Sequence, residues 1–184
     1  MHKKDVEAQE RNAQPSPYII LSADILAHNK KEPFDVSEMK ALSLERDNAI
    51  TFKANKPIHM RVKDGKWGLF FNGTQSLTSN VTLPTNYRYN SPYTISAWVL
   101  STKVGPISTV TSLSSSRADL ANTEFRLGTD PSTGLMNHNG SFESSGAQKD
   151  IAAGEGKWQF WTITFDGWME KVYLNGKLLK EKNN

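Results

Sequence analysis

Trp158-Gln159-Phe160-Trp161-Thr162-Ile163-Thr164-Phe165-Asp166-Gly167 is the stretch whose reading decides the fold. Side chains of a strand alternate between two faces, so Trp161, Ile163 and Phe165 form one inward apolar stripe. Asp166-Gly167 then offers a tight turn, because glycine adopts the positive φ such turns require. A second arm, Lys171 to Leu174, follows and closes on another turn pair, Asn175-Gly176. This is a β-hairpin, and Lys177-Leu178-Leu179-Lys180 begins a further strand.

Working outward, the same period of two recurs. Tyr93 to Leu100 places Ile95, Ala97 and Val99 on one face and Thr94, Ser96 and Trp98 on the other. Apolar groups on both faces predict a well-covered central strand. Trp98 and Trp158 accordingly read as core anchors, since large aromatics dominate core energetics. Earlier, Ile50, Phe52 and Ala54 alternate with polar residues, as do Ile58, Met60 and Val62. Asp64-Gly65 follows, then Trp67, Leu69 and Phe71, ending at Asn72-Gly73. Shorter strands are expected at Val81–Leu83, Ile107–Leu113, Glu124–Leu127 and Gly134–Asn137. Pro33 to Arg46 is the one helical reading: Asp35 and Glu38 match a capping box, and Val36, Met39 and Leu42 share a helical face. Many short strands, turn signals between them and one short helix near the N-terminus predict an all-β, antiparallel β-sandwich. Residues 1–15 are polar and aperiodic, a disordered or linker-like lead-in to a single domain over 16–184.

Composition narrows the function classes. The 184 residues suffice for a core without staples, and there is no cysteine to form a disulfide, thiolate metal site or nucleophile. The net charge is +3, but Ser76 to Glu155 holds five basic residues against six acidic ones. The cationic excess lies towards the ends, at Lys3, Lys4, Lys30, Lys31, Lys171, Lys177, Lys180 and Lys182. Phosphate binding needs cations clustered on one face, so no nucleic acid is expected. No apolar run reaches the length of a membrane span, and Met1-His2-Lys3-Lys4-Asp5 leads into no signal-peptide apolar region.

Three segments together carry a family resemblance: Gly68-Leu69-Phe70-Phe71-Asn72-Gly73, Tyr93-Thr94-Ile95-Ser96-Ala97-Trp98-Val99, and Gly156 to Gly167 followed by Lys171-Val172-Tyr173-Leu174-Asn175-Gly176. Their order and spacing over residues 67–180 resemble the LamG-like (laminin G-like) branch of the concanavalin A-like lectin/glucanase superfamily. The resemblance implies a jelly-roll sandwich. Such domains continue past the "Y-v-n-G" turn with one or two more strands, whereas this sequence stops at Lys182-Asn183-Asn184. It therefore implies a second polypeptide segment that completes the sandwich.

Glycosidases of this superfamily carry their paired carboxylates on one strand in an "E-x-D-x-x-E"-like run. No such run exists here; the nearest acidic pairs, Asp166 with Glu170 and Asp5 with Glu7, sit at a hairpin tip and in the lead-in. His2, His28, His59 and His138 share no metal-ligand spacing, and His59 reads as a solvent-face strand residue. There is no Gly-x-Ser-x-Gly elbow, so no enzyme is expected. Some LamG relatives hold calcium at the sandwich rim; here Asp130, Asn137 and Asn139 supply suitable hard oxygens in adjacent loops or are ordinary turn residues. For sugar stacking the exposed aromatic candidates are Tyr87-Arg88-Tyr89 before the Tyr93 strand and Trp168 beyond the Asp166-Gly167 turn. Asn72-Gly73-Thr74, Asn80-Val81-Thr82 and Asn139-Gly140-Ser141 are sequons in a eukaryotic secretory context. The resemblance implies a non-catalytic glycan-binding module of an exported or cell-surface protein, with glycan or surface protein as partner. Its rivals are a protein-interaction or adhesion module, and the lectin-like accessory part of an enzyme whose catalytic portion is on another chain.

Overall fold

The tightest turns fall on the Asp-Gly and Asn-Gly pairs. Asp64 and Gly65 take φ of +52° and +76°, and Asn175 and Gly176 take +49° and +79°. Two consecutive positive-φ residues form the hairpin turn whose twist matches the flanking strands. The computed structural model describes residues 19–42, 50–79, 92–100, 108–113, 123–127, 134–136 and 156–183. The chain divides into two compact units, Met1–Leu83 and Pro84–Asn184.

The first unit contains helix α1 (Ala23–Leu26) and strands β1 (Phe34–Ala41), β2 (Ile50–Lys63), β3 (Lys66–Phe70) and β4 (Leu77–Thr78). Its sheet runs β1-β2-β3, with β4 also paired to β2, and every ladder is antiparallel. Val36, Ile58, Met60 and Ala27 form its buried cluster, with Phe34, Trp67 and Leu69 packed against them.

The helical reading of Pro33 to Arg46 is corrected here: within its described residues the segment forms strand β1, Phe34–Ala41. The reason is a break in pairing between Val36 and Glu38, where the register with β2 shifts from Val36↔Ile58 to Glu38↔Lys53. A bulge breaks the two-residue alternation, so Val36 and Met39, three residues apart, are both buried. A spacing of three is what the helical reading had seized on. Asp35 caps no helix, for its carboxylate accepts instead from His59 Nδ1 at 2.8 Å on the exposed side of the sheet, where His59 had been expected. The short helix lies earlier, at α1, and ends at its C-cap Ala27, two residues before Asn29 takes φ +65°.

Pro57 sits in the middle of the long strand β2, between the part paired with β4 (Lys53 and Ala54) and the part paired with β3 (His59 to Lys63). Proline has no N–H for a ladder, so this gap suits it. Side chains lace the gap shut: Gln75 Nε2 donates to Pro57 O at 2.7 Å, and Ser76 N donates to Asn55 Oδ1 at 2.8 Å. Asn72-Gly73 does form the expected turn, with Thr74 N donating to Asn72 Oδ1 at 3.0 Å and Gly73 at φ +92°.

The second unit contains β5 (Tyr93–Leu100), β6 (Ser108–Leu113), β7 (Thr123–Leu127), β8 (Gly134–Met136), β9 (Trp158–Phe165), β10 (Met169–Leu174) and β11 (Lys177–Asn183). They make a four-stranded sheet ordered β11-β10-β9-β5 and a three-stranded sheet ordered β6-β7-β8, all antiparallel. The inward stripe is as read: Trp161, Ile163 and Phe165 are all buried. Val172 of β10 joins Trp161 and Ile163 in the core cluster, with Tyr93, Ile95, Ala97, Val99 and Leu179 against it. The all-β, antiparallel sandwich class with one short helix stands.

Two expectations about β5 do not. Among the described residues it pairs only with β9 and forms the end of its sheet, not the centre. Trp98 is 53% exposed, on the face opposite the core, so it is not a core anchor. The anchor is Trp161, at 0%. Trp158 is half-buried. The expected strand Val81–Leu83 lies outside the described residues.

Candidate functional site: the second face of the β5-β9 sheet

The register Ala97↔Trp161 sends both of those side chains to the core face, and alternation then sends their neighbours to the other face. That second face has four successive cross-strand pairs: Leu100 with Trp158, Trp98 with Phe160, Ser96 with Thr162, and Thr94 with Thr164. The Trp98 and Phe160 rings stack obliquely, with centroids 5.0 Å apart and planes at 37°. Such offset contact leaves much of the Trp98 ring open to solvent. One pair along, Ser96 Oγ and Thr162 Oγ1 share a hydrogen bond of 3.1 Å. On the next strand Tyr173 lies opposite Thr162, and Lys171 opposite Thr164.

The aromatic end is fixed from below by the Asn175-Gly176 turn. Asn175 N donates to Phe160 O at 2.7 Å, and Phe160 N donates to Asn175 Oδ1 at 2.9 Å. One asparagine thus continues the ladder past the end of β10 and holds the backbone that carries the Phe160 ring.

At the other end of the same hairpin, Trp168 is 69% exposed, the tip position read from the sequence. Asp166 builds this tip: its Oδ1 accepts from Trp168 N at 2.8 Å and Met169 N at 2.7 Å, while Gly167 takes φ +99°. Those two N–H groups, Met169 first, hold the exposed Asp166 carboxyl below the usual carboxylate range. A lowered folded-state pKa means the contribution is complete above the unfolded-state value and lost as pH falls through the folded one. On acidification the Trp168 and Met169 amide resonances are expected to move together, with a midpoint below the ordinary aspartate value. In Asp166→Asn the movement should vanish, and its persistence there would assign the titration elsewhere.

From the Trp98–Phe160 pair to the Tyr93–Phe165 pair is five residues along β5, on the order of 17 Å. Trp98 and Trp168 therefore mark opposite ends of this sheet. Tyr87, Arg88 and Tyr89, expected beside a ligand, lie outside the described residues, as do Asp130, Asn137 and Asn139, expected to hold calcium. Among the described residues no cluster of three or more histidine, aspartate or glutamate side chains could hold a metal ion. Of the acidic pair noted above, Asp166 is exposed and committed to its turn, whereas Glu170 is buried. The Trp98 site escaped sequence reading because the second face was assigned to core. Its signal was present in the placement of Thr94, Ser96 and Trp98 together on that face.

A laminin G-type family model, described as the concanavalin A-like lectin/glucanases superfamily, matches residues 72–184. No curated protein and no solved structure matches the chain. The matched span includes β5, β9, β10 and the whole of the aromatic and hydroxyl face. Among the described residues no helix is long and apolar enough to cross a membrane.

Proposed function

The chain belongs to the concanavalin A-like lectin/glucanase superfamily, and from that premise we propose that it is a non-catalytic carbohydrate-recognition module of an exported or cell-surface protein. The observation that carries this reading is the half-open Trp98 ring beside the Ser96–Thr162 hydroxyl pair. A sugar ring has an apolar C–H face and a polar rim. An aromatic plane with hydroxyls alongside answers both at once. A protein partner would favour a broad apolar patch. Here the apolar end, Leu100–Trp158 and Trp98–Phe160, gives way along the face to Ser96, Thr162, Thr94 and Thr164, and that run of hydroxyls favours sugar. The absence of a paired-carboxylate strand from the sequence supports a binding role rather than hydrolysis.

A glycan array should first identify a binder for the unmodified chain. Trp98→Ala is then expected to weaken that binding by about tenfold, in line with the loss of one ring contact. Circular dichroism should show the same fold for the variant. Calorimetric titration with equal affinity for parent and Trp98→Ala would remove the site from consideration. Equal affinity in Trp168→Ala as well would clear both ends of the hairpin.

A further inference from the structure

The connection between β3 and β4 is laid out for a reaction of the chain with itself. We propose that Asn72 is a self-modification site: its side-chain amide is lost to the Gly73 backbone nitrogen, giving a succinimide and then aspartate and isoaspartate. This does not depend on the carbohydrate reading. Asn72, Gly73 and Thr74 are all exposed. Asn72 Oδ1 accepts two hydrogen bonds at once, from Thr74 N at 3.0 Å and from Thr74 Oγ1 at 3.0 Å. Two donors on one amide carbonyl draw electron density from Cγ. They also stand where negative charge develops on that oxygen when a nucleophile adds to Cγ. The same bonds fold the side chain back over its own backbone, towards the nitrogen that must attack. Gly73, at φ +92°, brings no Cβ to that approach, and a Cβ built there would find no atom within 4 Å. The turn is open to water.

Asn175-Gly176 is the same dipeptide in a different setting. Asn175 Oδ1 accepts from Phe160 N at 2.9 Å, and Asn175 N donates to Phe160 O at 2.7 Å, so this side chain is committed to strand β9. Closing a ring on Gly176 would break the first of these bonds and leave the Phe160 N–H without its partner. At Asn72 both donors belong to Thr74, two residues on, and can follow the oxygen. Asn139-Gly140 lies outside the described residues and takes no part in the comparison. In the reaction the Gly73 nitrogen bonds to Cγ and gives up its hydrogen. The Cγ–Nδ2 bond breaks, and Nδ2 leaves as ammonia with that hydrogen. Water then opens the imide, its hydroxyl going to one carbonyl carbon and its other hydrogen to the Gly73 nitrogen. Attack at Cγ gives aspartate, and attack at the main-chain carbonyl gives isoaspartate, whose backbone gains a methylene. Nothing is oxidised or reduced, and either product carries a new negative charge. The altered turn is the one that holds β4. Asn72 N donates to Gln75 Oε1 at 2.8 Å, Gln75 Nε2 reaches Pro57 O, and Ser76 N reaches Asn55 Oδ1. Isoaspartate lengthens that connection and loosens β4.

The test incubates the full chain in mildly alkaline buffer, folded and in urea. Each Asn-Gly pair is followed by peptide mass spectrometry, with fragmentation that separates aspartate from isoaspartate. In the folded chain Asn72 should convert at least about tenfold faster than Asn175, the difference that one hydrogen bond lost on ring closure would make. In urea, with both settings dissolved, the two should convert at similar rates. Thr74→Val keeps the shape of the side chain and removes its hydroxyl. It should slow Asn72 about fivefold in the folded chain and change it little in urea. Hydrogen exchange at Ser76 N–H should be faster in the isoaspartate fraction than in the parent. Asn175 keeping pace with Asn72 in the folded chain would overturn the proposal, as would Asn72 staying intact there while it converts in urea. An unchanged folded rate in Thr74→Val would overturn the part given to the hydroxyl. Equal exchange at Ser76 in both fractions would overturn the link to β4.

Discussion

Trp161→Ala is expected to lower the unfolding free energy by about 3–5 kcal/mol, whereas Trp98→Ala should lower it by only about 1–2 kcal/mol. The two residues lie on neighbouring strands in the same sheet, and sequence alone treats them as similar aromatics. What separates them is the face. Trp161 pairs with Ala97, is fully buried, and packs with Ile163 and Val172. Its indole N–H donates to Gln159 Oε1 at 3.4 Å, so its polar edge is not stranded. Removing it opens a large cavity lined by aliphatic groups that cannot collapse to fill it. Removing the half-exposed Trp98 ring takes away its contact with Phe160 on the open face of the sheet. Urea denaturation of both variants checks this, and a larger loss for Trp98 than for Trp161 would reverse the assignment of faces.

The comparison shows which parts of the chain the sequence could disclose. Strand β5 was legible to the residue, Tyr93 to Leu100, because a turn cluster and a clean alternation bound it on both sides. The β9-β10 and β10-β11 turns were legible because Gly167, Asn175 and Gly176 tolerate the positive φ that such turns require and most residues avoid. Trp168 was legible as exposed for the same reason: a residue beside such a turn has nowhere inward to go. Burial of the Trp98 face was not legible, since an apolar residue on each side of a strand fits a covered strand and an aromatic binding face equally. The Ser96–Thr162 pair joins residues 66 apart in sequence. Only the register of β5 against β9 brings them together, and no local signal encodes that register. Helix α1 was missed because four residues are too few to show a helical period.

The last expected result concerns β1, where the sequence misled. Met39→Ala should destabilise by about 2–5 kcal/mol, and Leu42→Ala by no more than about 0.5 kcal/mol. A helix over this segment would put Val36, Met39 and Leu42 on one buried face, and both truncations would then cost similar amounts. In the strand, Met39 is 1% exposed while Leu42 is 47% exposed. Leu42 contributes through its backbone, which exchanges two hydrogen bonds of 2.9 Å with Ile20 and survives truncation of the side chain. The burial of Met39 depends on the same pairing shift that obscured the strand. With the alternation broken after Val36, Met39 and Ala41 come to lie buried opposite Phe52 and Ile50. An unbroken alternation from Val36 would have pointed Met39 at solvent. Equal losses for Met39→Ala and Leu42→Ala in denaturant titrations would restore the helix, and a loss confined to Met39 establishes the bulged strand.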